Sequence, residues 1–185
     1  MMLRTDRLLI RNWRDSDRDL FCEINSDPKV MEFFPRRRGR AECDVLMDEA
    51  RRRIDATGFG FFAVCLKEAD EPIGFCGLAE TDLEPFLRTG TIEIGWRLAF
   101  RFWGHGYATE AATALLRYGF AERHLPEIVS FAVAANNRST AVMKRLGMRR
   151  DPARDFQHPR VPPSMARLRH HEVYALTSGE WQALQ

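Results

Sequence analysis

The sequence of 185 residues has no apolar run long enough to span a bilayer, because charged residues interrupt each hydrophobic stretch. The apolar core that a secretory signal peptide requires is also missing near the N-terminus. Both absences argue against an integral membrane protein or a secreted one. We therefore expect a cytoplasmic protein with no membrane partner.

The sequence also lacks the cysteine and histidine spacing that is typical of metal sites and disulfides. The four cysteines form no C-x-x-C pair and have no metal-ligand spacing, so we expect small buried side chains in a reducing compartment. His158, His170 and His171 lack a third fitting ligand, and no metal is expected. A net charge of +2 is too small to indicate a nucleic-acid partner, and the arginines between Arg36 and Arg53 are typical of a solvated loop and helix face.

What the chain does contain fits one globular domain over residues 1–185, since 45% of its residues are hydrophobic. The most informative stretch is Thr91–Gly119. Ile92–Leu98 is typical of a mostly buried strand, and the apolar spacing from Ala108 to Phe120 predicts an amphipathic helix. Between them lies Arg101–Gly106, called the glycine loop below. A strand, a basic glycine loop and a helix N-terminus together favour the binding of a phosphate group.

Three known phosphate-binding patterns compete for the glycine loop. A P-loop needs Gly-Lys-Ser/Thr, but Tyr107 and Ala108 follow Gly106. A dinucleotide fingerprint needs a third small residue where Thr109 stands. The pattern Q/R-x-x-G-x-G/A fits at each position, with Arg101, Gly104 and Gly106. An ordinary strand–helix turn that uses two glycines for its geometry stays open as an alternative.

The remaining elements predict a mixed α/β sheet in one layered domain. Leu8–Ile10 is typical of a strand, and Asp15 or Ser16 is expected to cap the helix that follows. A helix is predicted over residues 41–56, and a hairpin joins strands over residues 59–66 and 73–78. After the helix that follows the glycine loop, the pattern predicts a strand over 128–133, a short helix over 136–146 and a final strand near 173–176.

The hexad Arg101-x-x-Gly104-x-Gly106 resembles motif A of the GNAT acetyltransferase superfamily, whose loop holds the pyrophosphate of coenzyme A. Further segments, in the same order along the chain, resemble motifs of its RimJ/RimL-type branch. They are Thr5–Arg11, Ser26–Met31, Ile73–Leu78, Trp103–Ala111, Asn136–Met148, Asp155–Pro159 and His171–Tyr174.

This resemblance implies the GNAT acyl-CoA N-acyltransferase fold, with mostly antiparallel strands and a central β-α-β unit that binds acetyl-CoA. It also implies acetyl transfer from acetyl-CoA to an amine. The residues expected to contact the coenzyme are Trp96, Arg97, Leu98, Arg101, Phe102, Trp103, Gly104, His105, Gly106, Tyr107, Ala108, Thr109, Asn136 and Ser139.

Glu93 is the candidate general base. A protonated amine is no nucleophile, and a half-buried carboxylate has a raised pKa that suits proton removal near neutral pH. In the family that the chain resembles, a glutamate on this strand often does this work through a water. The alternative is a structural carboxylate paired with an arginine. The backbone N–H groups of Trp96 and Leu98 are expected to bind the pantetheine amides and the thioester carbonyl.

The leaving thiolate needs a hydrogen bond or a proton. Many members of the family place a tyrosine where this chain has Met143, so the usual acid is missing. Ser139 is the candidate, because the branch tends to use a serine there, and Asn136 is expected to bind the pantetheine arm. Asn136 could instead cap its helix, with Ser139 at the third position, and the two roles are compatible.

No cysteine lies near the motif stretch, so we expect direct transfer in a ternary complex. Two other classes stay open: a non-catalytic sensor with this fold that binds acyl-CoA, and a dinucleotide-binding enzyme. The acceptor is a primary amine, either a protein N-terminus or a small molecule. The segments Val30–Arg40 and Asp82–Thr89 are expected to line its pocket. The chain is expected to be a monomer or a homodimer.

Overall fold

The computed structural model describes residues 2–184. Its strands are β1 (Leu3–Arg4), β2 (Leu8–Arg11), β3 (Gly60–Leu66), β4 (Glu71–Glu80), β5 (Ile92–Leu98), β6 (Glu127–Val133), β7 (Arg149–Arg150), β8 (Phe156–Gln157) and β9 (His170–Thr177). Its α-helices are α1 (Arg18–Ser26), α2 (Arg40–Thr57), α3 (Tyr107–Arg117), α4 (Asn137–Arg145) and α5 (Ser178–Gln182). Across these residues, no helix is long and apolar enough to cross a membrane.

The chain divides into two compact units, which cut strands β4 and β5 and helix α3. The first unit holds the chain up to Leu78 together with Gly95–Leu115, and the second holds Ala79–Ile94 and the chain from Leu116 onward. The single domain expected from the sequence stays a prediction.

In the first unit, β1, β2, β3 and β4 are antiparallel neighbours in that order. Leu9 of β2 lies opposite Cys65 of β3. Phe62 of β3 lies opposite Cys76 of β4, which confirms the predicted hairpin of β3 and β4. Helices α1 and α2 contact each other, and their inward residues Ile24 and Met47 are fully buried. Burial of each such side chain stabilises the folded state by about 1.5–3 kcal/mol.

The start of α1 differs from the prediction, which assigned its cap to Asp15 or Ser16. A 3₁₀ turn over Asp15–Asp17 precedes the helix, and Asp17 holds this turn by accepting from the Arg14 N–H at 2.8 Å. Both oxygens of Asp17 also accept from the Arg11 guanidinium, at 2.7 and 3.1 Å. Asp17 and Arg11 are almost fully buried, so this ion pair decides which carboxylate organises the turn.

In the second unit, β6 is parallel to β5, with Glu93 opposite Val129. Strand β9 is antiparallel to β6, and the short strands β7 and β8 pair with β9. The segment 82–90, between β4 and β5, supplies buried leucines to the core. The buried core residues of this cluster are Leu83, Leu87, Val129, Phe156, Val173 and Ala175.

Helix α3 connects β5 to the parallel strand β6, which confirms the predicted strand–helix–strand unit. A parallel pair requires such a crossover connection. The predicted helix ran to Phe120, but α3 widens into a π-helix over Tyr118–Glu122, where the Arg123 N–H donates to the Tyr118 carbonyl at 3.0 Å. Antiparallel pairs dominate the sheet, so the predicted mixed sheet is confirmed.

Candidate functional site

The glycine loop connects the end of β5 to the start of α3. A 3₁₀ turn over Phe100–Phe102 follows β5, and the Trp103 indole N–H donates to the Leu98 carbonyl at 2.8 Å. Gly104 and Gly106 have φ angles of 81° and 80°. An L side chain rarely adopts this left-handed conformation, so both positions require glycine for a physical reason. The loop therefore has a specific backbone shape and is more than a flexible link.

The N-terminus of α3 offers a row of backbone donors. The first helical hydrogen bond runs from the Glu110 N–H to the Gly106 carbonyl at 3.0 Å, so the N–H groups of Tyr107, Ala108 and Thr109 have no acceptor inside the helix. Within residues 2–184, the backbone N–H groups of Gly104 and Gly106 also have no acceptor, and both residues are exposed. With the helix dipole added, these donors fit a diphosphate.

Residues near the N-terminus contact the glycine loop and the first turn of α3. The Arg7 guanidinium forms an ion pair with Glu110 of α3, at 2.6 and 2.7 Å, and donates to the His105 carbonyl at 3.0 Å. The Thr5 hydroxyl and the Arg7 backbone N–H both donate to the Glu110 carboxylate, at 2.5 and 3.0 Å. The guanidinium also lies 4.7 Å from the centroid of the Tyr107 ring.

Electrostatics strengthen this contact. Burial alone would raise the pKa of Glu110, but the hydrogen bonds from Thr5 and Arg7 outweigh it and hold that pKa below its ordinary value. Glu110 therefore stays ionised near neutral pH and keeps Arg7 against the loop. Sequence analysis missed this role: periodicity showed only that Glu110 lies off the apolar stripe of α3.

The basic residue of the hexad, Arg101, already has an internal partner. Its guanidinium pairs with Glu23 of α1 and lies 4.8 Å from the centroid of the Phe102 ring. Both Arg101 and Glu23 are exposed. An incoming phosphate would have to share Arg101 with this carboxylate, so the backbone donors of the loop are the better-prepared part of the site.

Arg97 leaves β5 in the direction of helix α1. Its Nη1 donates to the Asn25 side-chain oxygen at 2.6 Å, and its guanidinium lies 4.1 Å from the centroid of the Phe34 ring. The neighbouring residue Trp96 is half-buried, and Leu98 is buried. Contacts between these backbone N–H groups and a thioester stay a prediction.

The candidate base and the candidate thiolate partner belong to the second unit. Glu93 is half-buried on β5, beside a buried serine, Ser130, whose hydroxyl donates to the Ile94 carbonyl at 2.9 Å. The Asn136 side chain accepts from the Ser139 N–H at 3.2 Å, which confirms Asn136 as the cap of α4. Ser139 is half-buried, and Met143 is 1% exposed. The catalytic roles of Glu93 and Ser139, and a contact of Asn136 with the pantetheine arm, stay predictions.

The histidines and cysteines take structural places. His158 and His171 pack 4.9 Å apart beside Phe156, and within residues 2–184 no group of three acidic, histidine or cysteine side chains could hold a metal ion. Cys43 and Cys65 are buried and free, and burial raises the pKa of each thiol to about 12. Cys76 is also buried, as was predicted for all four cysteines, but Cys22 is only half-buried.

Comparison with known proteins agrees with this geometry. Residues 7–149 match the family described as acetyltransferase (GNAT) domain. The uncharacterized N-acetyltransferase YnaD of Bacillus subtilis is 32% identical over 155 residues, which cover 82% of this chain and 84% of that protein. The FsC-acetyl coenzyme A-N(2)-transacetylase of Aspergillus fumigatus is 29% identical over 188 residues, which cover 99% of this chain and 79% of that one.

The fold comparison gives the same result. A crystal structure of a GNAT-family acetyltransferase from Bacillus anthracis superposes with a TM-score of 0.80 at 27% identity, covering 97% of this chain and 99% of that chain. These matches support an acetyltransferase rather than a dinucleotide-binding enzyme. The chain belongs to the GNAT family of acetyltransferases.

Proposed function

We propose that this protein transfers acetyl from acetyl-CoA to a primary amine by direct transfer in a ternary complex. The observation that carries the proposal is the glycine loop, in which two left-handed glycines lead into a helix N-terminus with unused N–H donors. The ordered motifs of the sequence favour the RimJ/RimL-type branch. The name of the Aspergillus relative, which includes acetyl coenzyme A and an N(2) position, supports the same donor and a nitrogen acceptor.

Acetyl-CoA supplies the acetyl group as a thioester. The N–H groups of Gly104, Gly106 and the first turn of α3 bind the diphosphate, and those of Trp96 and Leu98 hold the pantetheine and the carbonyl oxygen. Arg7 and Glu110 keep the loop in position for this binding.

Glu93 accepts the proton of the ammonium group, directly or through a water, so that the amine nitrogen has a free lone pair. A C–N bond then forms at the carbonyl carbon while the C–S bond breaks, and the second proton that the nitrogen loses passes to the leaving thiolate or to water. The Ser139 hydroxyl donates a hydrogen bond to the leaving sulfur. A thiol has a pKa of about 8.5, so a thiolate leaves with this modest help and no tyrosine is needed at Met143.

Replacement of Glu93 by glutamine tests the proposal. Loss of a general base lowers kcat by about 100- to 10,000-fold, while acetyl-CoA affinity stays within about threefold. The kcat is followed by thiol release across a panel of amines, and affinity by calorimetry. Glu122→Gln, at an exposed carboxylate, is the matched control and keeps full activity.

The outcomes separate the open alternatives. Equal kcat in Glu93→Gln and wild type would remove Glu93 from the mechanism. Coenzyme binding without turnover of any amine would favour a sensor over an enzyme. Absence of affinity for coenzyme A would refute the proposed donor.

A further inference from the structure

Arg97 is a half-buried cation whose hydrogen bonds are incomplete. Its Nη1 donates to the neutral Asn25 side chain at 2.6 Å, while its Nε is fully buried and has no acceptor. The guanidinium lies near two aromatic rings, with centroids 4.1 Å away for Phe34 and 5.2 Å away for Phe75. Burial of a polar N–H without a partner costs about 1–3 kcal/mol, so the arrangement needs a reason.

The electrostatic surroundings of Arg97 are positive. Burial, and then the nearby charge of Arg38, lower the pKa of Arg97 to about 10. Within residues 2–184, no carboxylate forms an ion pair with Arg97 or with Arg38. The buried Asn25 offers only its oxygen, because its amide nitrogen donates to the Phe21 carbonyl at 2.7 Å.

Several other shielded arginines of this chain are paired with carboxylates. Arg11 pairs with Asp17 and Asp70, Arg150 pairs with Asp155, and Arg154 pairs with Glu127. Among the described residues, Arg97 has no such partner, and its buried Nε, like that of the half-buried Arg169, has no acceptor. A missing internal anion is what a site for an external anion requires, since buried charges are normally paired.

Apart from Phe75 of β4, the residues described around Arg97 come from the end of α1 and from the connection to α2. These are Asn25, Phe34 and Arg38. The sequence predicted that this connection lines the acceptor pocket. Phe34 is 41% exposed, so its ring separates the guanidinium from solvent without being locked in the core. The proposed diphosphate donors, by contrast, are backbone N–H groups of the glycine loop.

We propose that Arg97 binds a carboxylate on the acceptor, so that the preferred substrates are amines that also carry an acidic group. The carboxylate accepts from the unused N–H groups of the guanidinium, beside the Phe34 ring, while Asn25 holds the other edge. A guanidinium is suited to this recognition because its planar donors match a carboxylate. This inference rests on the proposed acetyl transfer and names its substrate class.

Matched acceptor pairs test it in the wild-type enzyme. The pairs are aspartate with asparagine, glutamate with glutamine, and β-alanine with β-alaninamide, each followed by thiol release. A charge-assisted hydrogen bond predicts a kcat/KM about 10- to 150-fold higher for the acidic member of at least one pair. Acetylation of several amines without any such preference would overturn the inference and leave the proposed function intact.

Two variants extend the test. Arg97→Gln brings the kcat/KM ratio of the acidic to the neutral member of each pair close to one, while Arg97→Lys, which keeps the charge and loses the planar fork, retains part of the preference. Arg167→Gln, at an exposed arginine, is the control and keeps the full preference. If Arg97→Gln instead weakens acetyl-CoA binding and spares the acceptor preference, the anion is a coenzyme phosphate and the inference is wrong.

Discussion

The left-handed conformation of Gly104 gives a graded prediction for coenzyme binding. A Cβ added at Gly104 would meet no atom of the described chain within 4 Å, so the Cβ of a larger residue causes no clash. The φ angle of 81° is therefore the obstacle that an added Cβ meets. Replacement by alanine, asparagine and valine measures the cost of the left-handed conformation, because asparagine tolerates it best and a β-branched residue tolerates it least.

The size of the effect follows from the backbone. A left-handed conformation costs an ordinary residue about 1–2 kcal/mol. Since nothing packs against Gly104, we expect the loop of the free variant to relax and to pay this cost only when the coenzyme binds. The affinity of Gly104→Ala for coenzyme A then falls about 5- to 30-fold, with Asn closer to wild type and Val weaker than Ala.

Calorimetry with coenzyme A measures the affinity, and urea unfolding measures any strain that stays in the free protein. The loss in binding free energy and the loss in the free energy of unfolding together equal the conformational cost, however that cost is divided between the free and the bound protein. Gly179→Ala is the control, because Gly179 has equally open space in α5 and no positive φ. Wild-type affinity and stability in Gly104→Ala and Gly104→Val together would refute the role assigned to this conformation.

Three further predictions concern the groups around the site and the core. Glu110→Gln breaks the ion pair with Arg7 and lowers coenzyme A affinity about 3- to 10-fold in calorimetry. Asp17→Asn leaves Arg11 short of a buried charge partner and lowers the free energy of unfolding in urea by about 3 kcal/mol. Burial lowers the pKa of His158 from 6.5 to about 4, so the unfolded chain binds more protons between these values. Stability then falls by about 1–3 kcal/mol as the pH drops through that window, and His158→Gln removes most of this dependence.

Controls separate these effects from general damage. Glu122→Gln and His124→Asn change exposed side chains and should leave coenzyme affinity and the pH dependence of unfolding as in wild type. His171, whose pKa burial also lowers, keeps a smaller slope of the same sign in His158→Gln. Unchanged affinity in Glu110→Gln, unchanged stability in Asp17→Asn, or an unchanged pH slope in His158→Gln would each contradict its own prediction alone.

Local patterns predicted the elements well where local forces decide them. Strand β5 has the predicted bounds Ile92–Leu98, and α2 ends at Thr57, one residue beyond its predicted end, with the left-handed Gly58 as its C-cap. The predicted cap of α1 was wrong because the buried side chains of Arg11 and Asp17 form an ion pair with each other. No residue pattern within the turn reveals this pairing. For the same reason, alternation along β5 does not show that Arg97 would lack a carboxylate: its surroundings come from α1 and the connection to α2.

The glycine loop depends on both local conformation and a long-range contact. Its shape is local, because Gly104 and Gly106 adopt conformations that other residues resist. Its attachment is not local, because the Arg7 and Glu110 contact that holds it joins residues 103 positions apart. The donors therefore keep a fixed direction only when the segment around β1 and β2 is in place against α3. Coenzyme affinity should then depend on the order of the N-terminal segment as well as on the loop, which explains why a segment far from the hexad along the chain shares in the site.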